Sequence, residues 1–369
     1  MRIHPSFYYL SSILVIIFIL SLTAFLIPDR KSSLSLDLFT KQNQNSERGE
    51  RGIGLEKEED EKDFHLTYRW RNLKNQHNVV SFKISKTELK TAEDEFGYYP
   101  QDLELFLSEK REKMKTEMIE FLKKFTQEKI DQSKYSEYIS IREIDSGSFT
   151  LHISVPPPMY KEVKAEFDQI TGELAKEQTK YFKKIEDDQR KHQEIYLNQR
   201  GLRFIGDKIG VDYGMIVARN RPRLAHVVEK MLEISRSTTL HEILDQMLSF
   251  IQEIKYGLPP LSELNKLILE FWVPPRVLVN NMGDCDSKGV AFAALWTNFK
   301  KYPLLLIKIP NHMFLGLAIP SFQEGGITIN GLKYTLFEIT GPEKTPPGMI
   351  SAYSRMHLEG GNYIYELIR

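Results

Sequence analysis

The sequence predicts an α+β protein, and three features carry that prediction. Strand-like alternation appears in several separate segments: Phe64, Leu66, Tyr68 and Trp70 alternate with polar residues, as do Val80, Phe82 and Ile84. Between and after these segments, apolar residues recur every three to four positions, as on helices packed by one face. The period-two alternation reads as half-buried antiparallel strands, so strands and helices are mixed along the chain.

Taken in order, the chain opens with an uncharged run from Phe7 to Ile27. As a helix it has the length needed to cross a hydrocarbon core of about 30 Å. Tyr8 and Tyr9 fall where interfacial aromatics belong, and Arg30 and Lys31 close the far end. Residues 1–31 are therefore expected to be an uncleaved signal anchor that is the chain's link to a membrane, with the remainder extracytoplasmic or periplasmic. Residues 32–63, with "KQNQNSERGERG" and "EKEEDEKD", are polar and charge-rich. Such composition predicts a disordered linker, because too little apolar surface is present to offset the ordering entropy.

Residues 64–155 read as a small α+β module: the two alternating segments, a break at "FGYYP", a helical stretch from Leu103 to Phe125, and a further strand with Phe149, Leu151, Ile153 and Val155 on one face. The triple proline at 156–158 ends it. Residues 156–200 then predict a long amphipathic helix, with Tyr160, Val163, Phe167, Ile170 and Leu174 in one stripe. Residues 201–369 have the composition of a compact domain. It holds a helix with Ile243, Met247, Ile251 and Ile254 inward, and a loop over "WVPPRVLVNNMG". Apolar strands follow over "YPLLLIKIP" and "NHMFLGLAIP". Asn330-Gly331 between alternating residues is a type I′ hairpin signal.

The chain has 50 basic and 50 acidic residues, a formal net charge of zero. Phosphate neutralisation needs a basic surplus, so nucleic acid is not an expected partner. One cysteine in 369 residues excludes an internal disulfide and a cysteine-rich metal site. No acidic loop with calcium-ligand spacing is present, and no metal or other cofactor is expected.

That single cysteine, Cys285, lies in "GDCDSKGVAFAALW". Asp284 is suited to cap the helix that follows, which would put Cys285 in its first turn. Unpaired backbone N–H groups and the helix dipole there favour a thiolate. Asp284 and Asp286 oppose it unless their carboxylates are occupied. A thiol nucleophile also needs a base and a group to orient that base. His312 begins an apolar strand, and Glu338 lies in "LFEIT" at the end of the hairpin, where burial demands a partner. Singly these are weak signals; their order along the chain gives them weight.

That order, with "GDCDSK" before a small-residue helix, "PNHMFLGLAI" and "YTLFEITG" followed by "PPGMI", resembles the transglutaminase-like superfamily, over roughly Ala225 to Ile350. The resemblance implies a papain-like core, a Cys-bearing helix packed on an antiparallel sheet. It implies Cys285 as nucleophile, His312 as general base and acid, and Glu338 as orienting carboxylate, where most of the superfamily has aspartate. The implied chemistry is cleavage or transfer of an amide acyl group through a thioester. The substrate would be a peptide, protein or cell-wall amide. Trp272 is read as a packing residue rather than an oxyanion donor. Two readings follow from the resemblance: an active thiol enzyme, and an inactive domain that keeps the cleft to bind peptides or proteins at the envelope. A third, Cys285 as a core residue of an unrelated α/β domain, requires the motif match to be accidental. Oligomeric state is not legible in the sequence.

Overall fold

The computed structural model describes residues 54–145, 147–235, 239–319, 326–340 and 344–368. The expected anchor and the linker up to residue 53 lie outside these. No described helix is long and apolar enough to cross a membrane. The described chain is mixed α+β, in the order of elements that follows.

The first strands are β1 (Gly54–Glu59), β2 (Asp63–Arg71) and β3 (His77–Ser85), an antiparallel sheet in that order. β1 lies inside the stretch expected to be linker, and the linker reading is corrected there. Its charged side chains face outward while its backbone pairs with β2 from Gly54 opposite Arg69 to Glu59 opposite Phe64. Composition registers side-chain burial, whereas an edge strand is held by main-chain hydrogen bonds and favours charge on its open side. The Asp60 carboxylate makes the β1–β2 turn by accepting from the amides of Lys62 and Asp63. α1 (Lys86–Asp94) follows, capped by Ser85.

The long helix α2 (Pro100–Gln132), the hairpin β4 (Ile139–Asp145) and β5 (Ser148–Ile153), and α3 (Tyr160–Gln199) come next. Residues 101–195 form a compact unit with its own core: Met118 and Leu122 of α2, Phe149 and Leu151 of β5, and Val163, Phe167 and Ile170 of α3. The stripe on α3 thus packs within the chain. The module expected over 64–155 is divided accordingly: α2, β4 and β5 belong with α3, while β1–β3 and α1 belong with residues 196–369. The reason is packing. The inner face of β2 is taken by Phe250, against which Tyr68 and Trp70 set their rings at 4.9 and 5.3 Å.

The second unit continues with the hairpin β6 (Leu202–Ile205) and β7 (Lys208–Val211), then α4 (Tyr213–Asn220), α5 (Ala225–Ile234) and α6 (Leu240–Glu253). Short strands β8 (Lys255–Tyr256), β9 (Ser262–Glu263) and β10 (Lys266–Leu267) lead to α7 (Pro274–Asn280). The sequence reading of this last segment as loop is corrected: its two prolines occupy the first helical turn, where a missing N–H costs nothing. β11 (Met282–Gly283) pairs in parallel with β8 and delivers the chain into α8 (Cys285–Phe299).

α8 is the central element. All of its residues from Cys285 to Thr297 except Asp286 are buried, the polar Ser287, Lys288 and Thr297 among them. Helices α4 to α7 pack around it, and a five-stranded antiparallel sheet covers the remaining side. That sheet comprises β12 (Leu304–Ile309), β13 (His312–Leu317), β14 (Gly326–Ile329), β15 (Leu332–Phe337) and, after α9 (Ala352–Glu359), β16 (Ile364–Ile368). Its strand order is β14-β15-β13-β12-β16. The β14–β15 turn has φ of 51° at Asn330 and 78° at Gly331, as a type I′ turn requires. Gly289 lets α8 approach β13: a Cβ there would stand 3.1 Å from Met313 Sδ.

Candidate active site

Asp284 has extended backbone and accepts the Ser287 amide at 2.9 Å, so α8 starts at Cys285 as the cap residue dictates. Ser287 Oγ in turn accepts the Trp272 amide at 3.0 Å, which ties the helix start to the preceding loop. Trp272 is buried, and its indole N–H donates to Glu263 Oε1 at 3.3 Å. Lys288, one turn further, is fully buried and donates to the main-chain carbonyls of Ile254 and Gln252 at the end of α6. Burial pushes its ammonium down to about 7.

Cys285 is 1% exposed. Its Sγ donates to Asp286 Oδ1 at 3.3 Å. The second oxygen of Asp286 accepts from Tyr213 Oη at 2.5 Å and from Lys308 Nζ at 3.0 Å. Lys308 projects from β12 and is also 3.1 Å from Tyr213 Oη. The Asp286 carboxylate holds the Lys308 ammonium above its ordinary value, and the bond itself adds to this against the effect of burial. Burial, reinforced by Asp286, pushes the Tyr213 phenol well above its usual range and keeps it a donor. Asp284, Cys285 and Asp286 offer atoms within 4.8 Å of one another. Both carboxylates are engaged by protein donors, so the group is a helix cap and an ion pair.

His312 opens β13 after Asn311, whose φ of 57° turns the β12–β13 connection. Its Nε2 lies 2.7 Å from Glu338 Oε2. Glu338 directly follows β15 and is 4% exposed. Its other oxygen accepts from the Ser351 amide at 2.9 Å and from Ser354 Oγ at 2.7 Å, both at the start of α9. The partner that burial demanded is thus a set of three donors. Burial works to raise the carboxyl, but the bond from His312, its charge and the two serine bonds outweigh it and hold Glu338 below the ordinary glutamate value. Gln252 anchors the same segment by donating to the main-chain carbonyls of Glu338 and Thr345, each at 2.9 Å.

The structure thus brings His312 and Glu338 into direct contact, and puts Cys285 at the start of the helix that β13 packs against. A cleft of about 340 Å³ is lined by Asp286, beside Cys285, and by His312, together with Tyr213, Lys308, Glu366 and Arg203. With Nε2 bonded to Glu338, Nδ1 is the ring nitrogen that this carboxylate leaves unoccupied. The residues that sequence reasoning missed are Tyr213 and Lys308 around Asp286, and Ser351 and Ser354 around Glu338. Lys308 had a usable signal, a lone charge in the apolar run "LLLIKI"; the serines had none.

Comparison with known proteins finds no family model, no curated protein and no solved structure that matches the chain.

Proposed function

We propose that the chain is a membrane-anchored thiol enzyme of the transglutaminase-like class, acting on an amide of a peptide, protein or cell-wall component at the extracytoplasmic face. The observation that carries this reading is the His312–Glu338 pair: a buried carboxylate held by three donors, orienting an imidazole on the cleft that also receives the start of α8. A structural ion pair has no need of a thiol at the head of the adjoining helix.

In this mechanism His312 Nδ1 takes the Cys285 proton and Sγ attacks the amide carbonyl carbon, forming a C–S bond and an oxyanion. His312 then gives the proton to the amine nitrogen as the C–N bond breaks, leaving a thioester. Water or an acceptor amine, deprotonated by His312, attacks the thioester carbonyl, and the thiol is restored when the C–S bond breaks. Glu338 stays ionised throughout and stabilises the imidazolium.

The test is iodoacetamide alkylation of Cys285 in the full chain in detergent, with Cys285→Ala as control. An activated thiol reacts rapidly near pH 7 and slows about tenfold or more in His312→Ala. A second reading, an inactive domain whose cleft binds peptides or proteins, draws on the near-complete burial of Cys285 and its bond to Asp286. Slow alkylation with a midpoint near the ordinary thiol value of about 8.5, indifferent to His312→Ala, overturns the enzyme reading in favour of that one.

A further inference from the structure

The group beside the thiol is a carboxylate. Asp286 Oδ1 accepts the Cys285 proton in a 3.3 Å bond, so a bare Asp286 anion would oppose formation of a second anion at Sγ. The carboxylate is not bare. Its Oδ2 receives two donors from two other elements, Lys308 Nζ from β12 and Tyr213 Oη from α4, and these donors also contact each other. All three side chains line the cleft together with His312. Asp286 is nearly buried, while the Lys308 side chain keeps 45% of its exposure at the cleft wall. Lys308 is the only residue of its strand that is not buried, in the run "LLLIKI".

We propose that Lys308 is a positioning residue for Cys285: paired with Asp286 and Tyr213, it cancels the aspartate charge beside Sγ so that the thiol can pass its proton to His312 near neutral pH. The step leaves the electron pair on sulfur and moves one proton from Sγ to Nδ1. Asp286 holds the thiol as a hydrogen-bonded acid in the resting state, and the ammonium on its far side balances the thiolate once the proton has gone.

The other charges around the site do not take this role. Asp284, on the same helix, is fully buried as the cap of Ser287, and Lys288 is turned toward the end of α6. Glu366 of β16 accepts from Arg203 of β6 and from the Gly214 amide, so those two charges are matched with each other. Glu338 is matched with His312. Glu270 lines the cleft from the loop before α7. Of the cations lining the cleft, Lys308 is the one bonded to the carboxylate that touches sulfur.

The inference rests on the thiol-enzyme reading, and the experiment separates the two. The pH profile of iodoacetamide alkylation is measured on the full chain for wild type and four variants. Lys308→Met leaves Asp286 uncompensated and should move the midpoint up by about one pH unit, slowing reaction at pH 7 about tenfold. Lys308→Arg keeps the charge and should stay near wild type. Asp286→Asn removes the opposing charge and should lower the midpoint; added to Lys308→Met, it should abolish the upward shift. If Lys308→Met fails to fold, by circular dichroism, Asp286→Asn alone decides the matter through the direction of its shift. An unchanged profile in Lys308→Met, a shift as large in Lys308→Arg, or an upward shift in Asp286→Asn overturns the inference. The enzyme reading is judged on His312→Ala alone, so a failure of this inference is distinguishable from a failure of that reading.

Discussion

Glu338 shows how one buried charge can be made an asset. Removed from water, a carboxylate is costly unless its lone pairs are filled. Here one oxygen meets His312 and the other meets the Ser351 amide and the Ser354 hydroxyl. Glu338→Gln keeps the shape but loses the charge and the certainty of the imidazole tautomer. We expect alkylation of Cys285 at pH 7 to fall at least tenfold and stability to drop by about 1–3 kcal/mol. The pH dependence has a defined sign. A carboxyl held low in the folded state stabilises it above the ordinary glutamate value of 4.5, and that contribution is lost as pH falls through the lower folded value. Urea unfolding from pH 7 down to pH 3 should therefore show a steeper acid loss in wild type than in Glu338→Gln. Equal slopes would mean that Glu338 is not the ionised partner of His312.

The seam between α8 and β13 sets where the helix that begins at Cys285 lies relative to the strand that begins at His312. Gly289 is one helical turn beyond Cys285, and Met313 is next to His312. A Cβ at Gly289 would meet Met313 Sδ at 3.1 Å and Leu315 Cδ2 at 3.6 Å. Alanine falls near balance: helix propensity gains about 1 kcal/mol, and the flexible methionine can yield by a few tenths of an ångström. Valine cannot be accommodated in that way. Gly289→Val should cost about 1–3 kcal/mol from overpacking and slow Cys285 alkylation, as the helix start is displaced from β13. Full retention of both properties would show that the seam tolerates slack.

At the level of the molecule, residues 101–195 interrupt a unit formed by the chain on either side of them. The ends of that excursion are adjacent, since the Gly97 amide donates to the Arg200 carbonyl at 3.0 Å. The excised unit has its own apolar core, and the sheet, α8 and the cleft lie outside it. Replacing 101–195 by a short glycine-serine turn should leave a cooperatively folding chain with an unchanged Cys285 alkylation profile, checked by thermal unfolding and by iodoacetamide rates. Loss of cooperative unfolding would show that the two units depend on each other for stability. A truncation at the N-terminal side should spare residue 54 rather than begin at 64, because β1 completes the sheet of β2 and β3.

Much of this was written in local pattern. The alternation of Leu66, Tyr68 and Trp70, the helical stripe from Val163 to Leu174, the cap at Asp284 and the Asn330-Gly331 turn are short-range features that the chain obeys. Each depends on backbone geometry within a few residues, where sequence and structure are directly coupled. Tertiary structure alone decided the rest. That a charged stretch pairs as β1, that α2 joins α3 rather than the first sheet, and that Tyr213, Asp286 and Lys308 meet are outcomes of packing between distant segments. The same is true of the serines that satisfy Glu338. A side chain's type states which partner it needs; the fold determines which distant residue supplies it.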